Sequence, residues 1–207
     1  MQTQIHERPL SMLDAIFTRR SVRAYTPQAV DEATVRALLE AAVQAPTALH
    51  AEPWVFVVIQ DRQMLKRLSE RAKGCWVEDV AHYRDLHPLA DGAVATAFAE
   101  RFASPDFDVF YDAGTLIAIG CRPLGPFAAA DCWLAAENLM LAASALGLGT
   151  CCVGSAVPML NIPETKAELC IPPDVEIVAP IVVGIPREPA AGSPRKTPAV
   201  LTWIHRG

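Results

Sequence analysis

The chain has 207 residues, which fits one sizeable domain or two small ones, and 52% hydrophobic against 20% charged residues excludes a disordered protein. A formal net charge of −5 and a pI near 5.5 exclude a general nucleic-acid binder, so any phosphate must be held by local basic clusters. Cys75, Cys121, Cys132, Cys151, Cys152 and Cys170 show no C-x-x-C spacing and no signal-peptide pattern precedes them, which reads as reduced thiols in a cytoplasm.

Residues 1–10 read as a loose arm. Ser11-Met12-Leu13-Asp14 resembles a capping box with Asp for Glu and opens a short helix through Phe17. Next comes Arg19-Arg20-Ser21-Val22-Arg23, three guanidinium groups and a hydroxyl within five residues. Planar guanidinium forks and a hydroxyl suit the oxygens of a phosphate dianion; the same cluster also reads as a solvated basic surface. Pro27 breaks the chain. Asp31 then caps a predicted helix over 32–44, whose Val35, Leu38, Leu39, Ala42 and Val43 share one face, and Pro46 stops it.

Trp54–Ile59 is a β-branched and aromatic run without alternation, the pattern of a strand covered on both faces. Asp61 caps a helix to about residue 73. Two helical pieces follow, about 76–86 and 91–103. Residues 115–119 are a second buried strand, and 127–148 a long, nearly apolar helix. Asp131, Glu137 and Asn138 within it favour a buried helix over a membrane span. Gly147 and Gly149 predict a left-handed cap at its end. Residues 150–153 form a short strand, 163–170 a short helix, and 176–184 a last strand in which Pro180 suggests an edge or a bulge. From residue 186 to the end the chain reads as an extended arm. The whole is one α+β domain, 1–207: a mixed central sheet of four to five strands flanked by helices.

Neither G-x-G-x-x-G nor a P-loop, H-E-x-x-H or G-x-S-x-G occurs. His82 and His87 lack a third partner nearby and read as solvated or capping residues rather than metal ligands. The remaining signals gain meaning in order. They are the R-R-S-V-R cluster, then A-P-T-A-L-H-A-E-P-W from Ala45 to Trp54. Next are Asp131 with A-A-E-N-L-M-L-A-A from Ala135 to Ala143, G-L-G-T-C from Gly147 to Cys151, and V-V-G-I-P from Val182 to Pro186. Together they resemble the FMN-dependent nitroreductase family, from about Leu13 to Pro198.

That resemblance implies a homodimer with FMN at the interface and NAD(P)H as electron donor. Arg19, Arg20, Ser21 and Arg23 would serve the phosphate, the ribityl chain and the pyrimidine edge. Pro46, Thr47, Ala48, Leu49 and His50 would lie against the ring in the other subunit's site. Cys152, Val153, Gly154 and Ser155 would pass its other side, with the Gly154 N–H near N5, and Arg195 or Lys196 would close on the phosphate. Nitroaromatic or quinone-type acceptors would follow the donor in ping-pong fashion, with no side chain required as a general acid and no metal, nucleic acid or membrane involved. Residues 75–110 would cover the groove. A specialised branch (a reductive dehalogenase or flavin-fragmenting enzyme) and a non-catalytic flavin-binding protein are the alternatives. Two departures stand out. His50 and Glu52 replace the family's usual Asn and Gln, and imidazole can donate, accept or change charge near neutral pH. Gly114 stands where proline is commoner, with no functional consequence expected.

Overall fold

The computed structural model describes residues 10–78, 92–190, 192 and 194–205. Its sheet contains β1 (Trp54–Ile59), β2 (Thr115–Cys121), β3 (Gly149–Cys152) and β4 (Glu176–Gly184) in the order β1-β2-β4-β3, each neighbouring pair antiparallel. The parallel component is an isolated bridge between Ser21 and Thr150. It lays the basic cluster along the outer edge of β3, where the Val22 N–H donates to the Thr150 carbonyl at 2.9 Å. Farther on, Tyr25 bridges Pro186 and the Thr26 N–H donates to the Ile185 carbonyl.

The strands lack alternating polarity because both faces are covered. In β2, Leu116 and Ala118 enter one core, while Ile117, Ile119 and Cys121 enter the other. β4 breaks this rhythm: Val178 and Ala179 face the same core, because the pairing with β2 slips between Ile119 and Gly120. Pro180 sits just beyond this bulge. β3 pairs only with residues 181–184, so at Pro180 the side of β4 that would need an N–H has lost its ladder. An interior strand thus has a locally unpaired edge where its proline falls. The Pro180 carbonyl still accepts from the Val153 N–H at 2.8 Å as β3 departs.

On one face lie α3 (Arg62–Glu78), α4 (Gly92–Ala103), α6 (Val157–Asn161) and α7 (Pro163–Glu168). On the other lie α2 (Glu32–Ala42) and α5 (Ala128–Ala145), with α1 (Met12–Thr18) packed on α5. The predicted caps form: Ser11 Oγ accepts from the Asp14 N–H, and Asp31 Oδ1 from the Thr34 N–H at 2.9 Å. α5 ends in a Schellman motif, with Gly147 at φ 79°, its N–H donating to the Ser144 carbonyl and the Leu148 N–H to the Ala143 carbonyl. Among the described residues no helix is long and apolar enough to cross a membrane.

α3 runs past its expected end. Gly74 is exposed and a Cβ there would meet nothing, so the glycine costs only its propensity, about 1 kcal/mol, against the burial of Leu65, Leu68 and Ala72. Of the expected helix over 76–86, residues 76–78 belong to α3. The rest, with His82 and His87, lies outside the described residues. Gly114 has a packing role: a Cβ there would stand 2.6 Å from the Ala29 nitrogen, where the segment after the basic cluster crosses the start of β2.

Candidate active site

Two glycines bring the basic segment to the sheet. A Cβ at Gly149 would lie 2.8 Å from Val22 Cβ, and one at Gly184 would lie 3.0 Å from the Tyr25 ring. Without those side chains the segment nests against β3 and the end of β4. Tyr25 is fully buried there, and its hydroxyl donates to the Val22 carbonyl at 2.7 Å. Arg23, between the buried Val22 and Tyr25 on this segment, is exposed. It borders a cleft of roughly 390 Å³ at the exit of β3.

The floor of that cleft is Cys151 and Cys152, followed by Val153 and the 3-10 turn Gly154–Ala156. Ser155, Arg101 of α4 and Tyr111 complete its lining. A Cβ at Gly154 would meet no atom of the chain. Packing within the chain therefore does not ask for glycine at this position, unlike at Gly149; the missing side chain leaves backbone open to the cleft.

The cleft is positive. Burial drives the Cys151 thiol up against the pull of Arg23 and Ser21, and pushes Cys152 up to about 11. Both sulfurs are therefore protonated near neutral pH and neither is a thiolate nucleophile. Burial likewise raises Tyr111, although Arg23 and Arg101 oppose it. Burial tends to discharge Arg23, but Cys151 and Tyr111 outweigh it and the net shift is upward. Among the described residues the full charges lining this cleft are two guanidiniums, in a chain whose formal net charge is −5.

Of the residues expected at the site, Arg23, Cys152, Val153, Gly154 and Ser155 meet around this cleft. Ser21 is exposed beside it on the edge segment. Arg19 Nε lies 3.6 Å from Glu137 Oε1 of α5. Arg20 turns back, its Nη1 donating to the Phe17 and Arg19 carbonyls at 2.8 Å each and closing the end of α1, while its Nε is buried without a partner. Arg195 and Lys196 are exposed in the extended arm. Pro46, Thr47, Ala48 and His50 do not line the cleft. Their loop is held by the Ala48 N–H, which donates to Asp131 Oδ2 of α5 at 3.1 Å. Leu49, His50 and Glu52 are all left-handed, at φ 54°, 54° and 44°, and Leu49 is 99% exposed.

Three residues escaped the sequence reading: Arg101, Tyr111 and Arg187. Arg187 lines an adjoining cleft of roughly 180 Å³ with Arg23, Arg101 and Tyr111. Its Nε donates to the Tyr25 carbonyl at 2.6 Å and its N–H to the Ala24 carbonyl. Its place directly after V-V-G-I-P was the available signal. For Arg101 there was only the expectation that residues 75–110 cover a groove, and Tyr111 lies just beyond that range.

Comparison with known proteins bears on the family and the fold. An NADH dehydrogenase of Thermus thermophilus is 30% identical over 207 aligned positions, covering 88% of this chain and 91% of that protein. The crystal structure of a nitroreductase with bound FMN from Bacteroides fragilis superposes with a TM-score of 0.76 at 28% identity, covering 95% of this chain and all of that one. An iodotyrosine deiodinase bound to FMN and 3-iodo-L-tyrosine shares the fold, with a TM-score of 0.67 at 21% identity over 91% of this chain and 97% of its own. The model of the Nitroreductase family matches residues 16–185, from α1 through the end of β4, and the chain belongs to that family.

Proposed function

We propose that the chain is an FMN-dependent oxidoreductase that takes electrons from NAD(P)H and passes them to nitroaromatic or quinone-type acceptors, donor and acceptor occupying one cleft in turn. The observation that carries the reading is the exit of β3. An exposed glycine with open space above it sits beside an arginine in a positive cleft. A flat anionic cofactor fits this combination: backbone can approach its ring at Gly154, and Arg23 can place positive charge at its polar edge. Bound FMN would supply the two-electron transfer. The chain's own part is to bind, orient and exclude water. Ser21 and Arg19 lie upstream of Arg23 on the same edge segment, where they could take a ribityl hydroxyl and the phosphate. Arg195 or Lys196 would close on that phosphate from the arm. With Cys151 and Cys152 protonated, neither of these lining thiols is poised as a nucleophile.

Exposed apolar surface supports a homodimer. Met12, Leu13, Ile16 and Phe17 of α1 are uncovered, as are Phe127, Trp133 and Leu134 at the start of α5 and Leu201, Trp203 and Ile204 in the arm. The loop from Pro46 to Glu52 would then meet the partner's cofactor. The reduced state of Cys121, Cys132 and Cys151 fits a cytoplasmic setting.

The test is an absorption spectrum of the purified protein with FMN, followed by anaerobic NADH or NADPH and then a quinone. A flavin spectrum that bleaches with donor and returns with acceptor is expected. Failure to bind added FMN would overturn the proposal.

A further inference from the structure

Arg101 is held against two aromatic rings. It lies in the last turn of α4, with its guanidinium carbon 4.5 Å from the Phe107 ring centre and 5.5 Å from that of Tyr111. The two rings meet edge to face at 6.0 Å, and Phe107 is tilted against the buried Phe102 at 5.1 Å. A guanidinium seated on ring faces keeps its edge N–H donors available. No ion pair between described residues includes Arg101. A cation in the last turn also suits the helix dipole, but that needs only the charge, not a planar seat on two aromatic rings.

The two adjoining clefts that Arg101 borders are electrically different. The smaller sets Asp106, Asp108 and Asp112 against Arg23, Arg101 and Arg187, so its formal charges balance. The larger, at the exit of β3, has no carboxylate among the described residues that line it. We propose that Arg101 is a specificity-determining residue that binds the anionic group of a reactant lodged in the β3-exit cleft. This rests on the oxidoreductase reading. The chemistry is that of an oxyanion whose two oxygens accept paired N–H donors, and two reactants can present it: a phosphate of the nicotinamide dinucleotide, or a carboxylate on the acceptor. Arg23 stays with the cofactor; Arg101, arriving from a different element, selects what is brought to it.

Matched charged and uncharged reactants test the assignment in FMN-loaded wild type, Arg101→Ala and Arg101→Lys. Stopped-flow measurements compare NADH with 1-benzyl-1,4-dihydronicotinamide as donors, and 4-nitrobenzoate with its methyl ester as acceptors. Calorimetry compares benzoate with benzamide, neither of which turns over. Arg101→Ala should weaken the charged member of at least one reactant pair about tenfold or more and leave its neutral mate near the wild-type value. Arg101→Lys should fall between, since it keeps the charge and loses the fork and the stacking. Loss confined to NADH marks the dinucleotide phosphate as the source. Loss confined to nitrobenzoate, with matching loss of benzoate affinity, marks an acceptor carboxylate. Equal effects on charged and neutral members of both pairs, or no effect on either, would overturn the role while leaving the oxidoreductase reading intact. A wild type that binds no FMN would instead overturn that reading and this one with it. Arg101→Gln provides the same comparison should the alanine variant fail to fold.

Discussion

The exit of β3 and the loop from Pro46 to Glu52 are both expected against the same cofactor, yet they are built in opposite ways. At the exit of β3 the chain completes itself. Val22 packs where Gly149 lacks a side chain, Tyr25 fills the space beside Gly184, and Val153 is pinned by the Pro180 carbonyl. The loop instead carries three non-glycine residues in the left-handed region, each costing about 1 kcal/mol or more, and holds Leu49 out into solvent. One buried carboxylate, Asp131, ties it down. A half-site that is finished within the chain and one that is strained and uncovered fit the proposed composite site between two copies.

The largest expected effect strikes the finished half. Gly149→Val would drive a branched side chain into Val22 and lift the edge segment from β3. The expected cost is about 3 kcal/mol in chemical denaturation, with Arg23 displaced and FMN retention lost. A variant that keeps wild-type stability and flavin content would show that the edge segment is not held by this contact. Arg19→Ala should come next, weakening FMN affinity by roughly 1.5–3 kcal/mol in fluorescence titration, the range for a hydrogen bond to a charged group. Arg19 lies 3.6 Å from Glu137, so Glu137→Gln should change affinity in the opposite direction, and modestly. Unchanged affinity in Arg19→Ala would remove it from the phosphate clamp.

Asp131→Ala probes the strained half. It leaves the Ala48 N–H without its acceptor and should cost roughly 1–3 kcal/mol in denaturation. If the loop serves a partner's site, dimer dissociation measured by analytical ultracentrifugation should rise together with the loss of FMN. A monomer–dimer equilibrium untouched by the change would separate the loop from the interface.

What the sequence could reveal divides along the same line. α1, α2, β1, β2 and α5 were legible because their signals are local: caps at Ser11 and Asp31, unbroken apolar runs, and Gly147 after the last helical turn. The exit of β3 was legible because its residues are contiguous. Arg20 and Arg19 are indistinguishable as letters. Only the fold shows one turned back on the carbonyls of α1 and the other toward Glu137. Arg101, Tyr111 and Arg187 come from separate elements, and nothing short of tertiary packing brings them to Arg23. Pro180 needed the knowledge that β3 is shorter than its neighbour, a property of pairing and not of β4's own sequence.

The smallest effect is a control on Asp131, since Asp31 also accepts a backbone N–H but does so at the surface. The Thr34 N–H and hydroxyl donate to Asp31 and hold its carboxyl below the usual range. A carboxylate whose folded pKa is depressed stabilises the protein above its unfolded pKa, and that contribution fades as pH falls through the folded value. Asn is itself a good N-cap, so Asp31→Asn isolates the charge. The stability gap between wild type and variant should be present at neutral pH and shrink below about pH 4. Denaturation curves at neutral and acidic pH check it. A gap that widens on acidification would mean that Asp31 meets unfavourable negative charge in the folded chain. Asp31 would then cease to be a fair surface counterpart to the carboxylate that holds the loop.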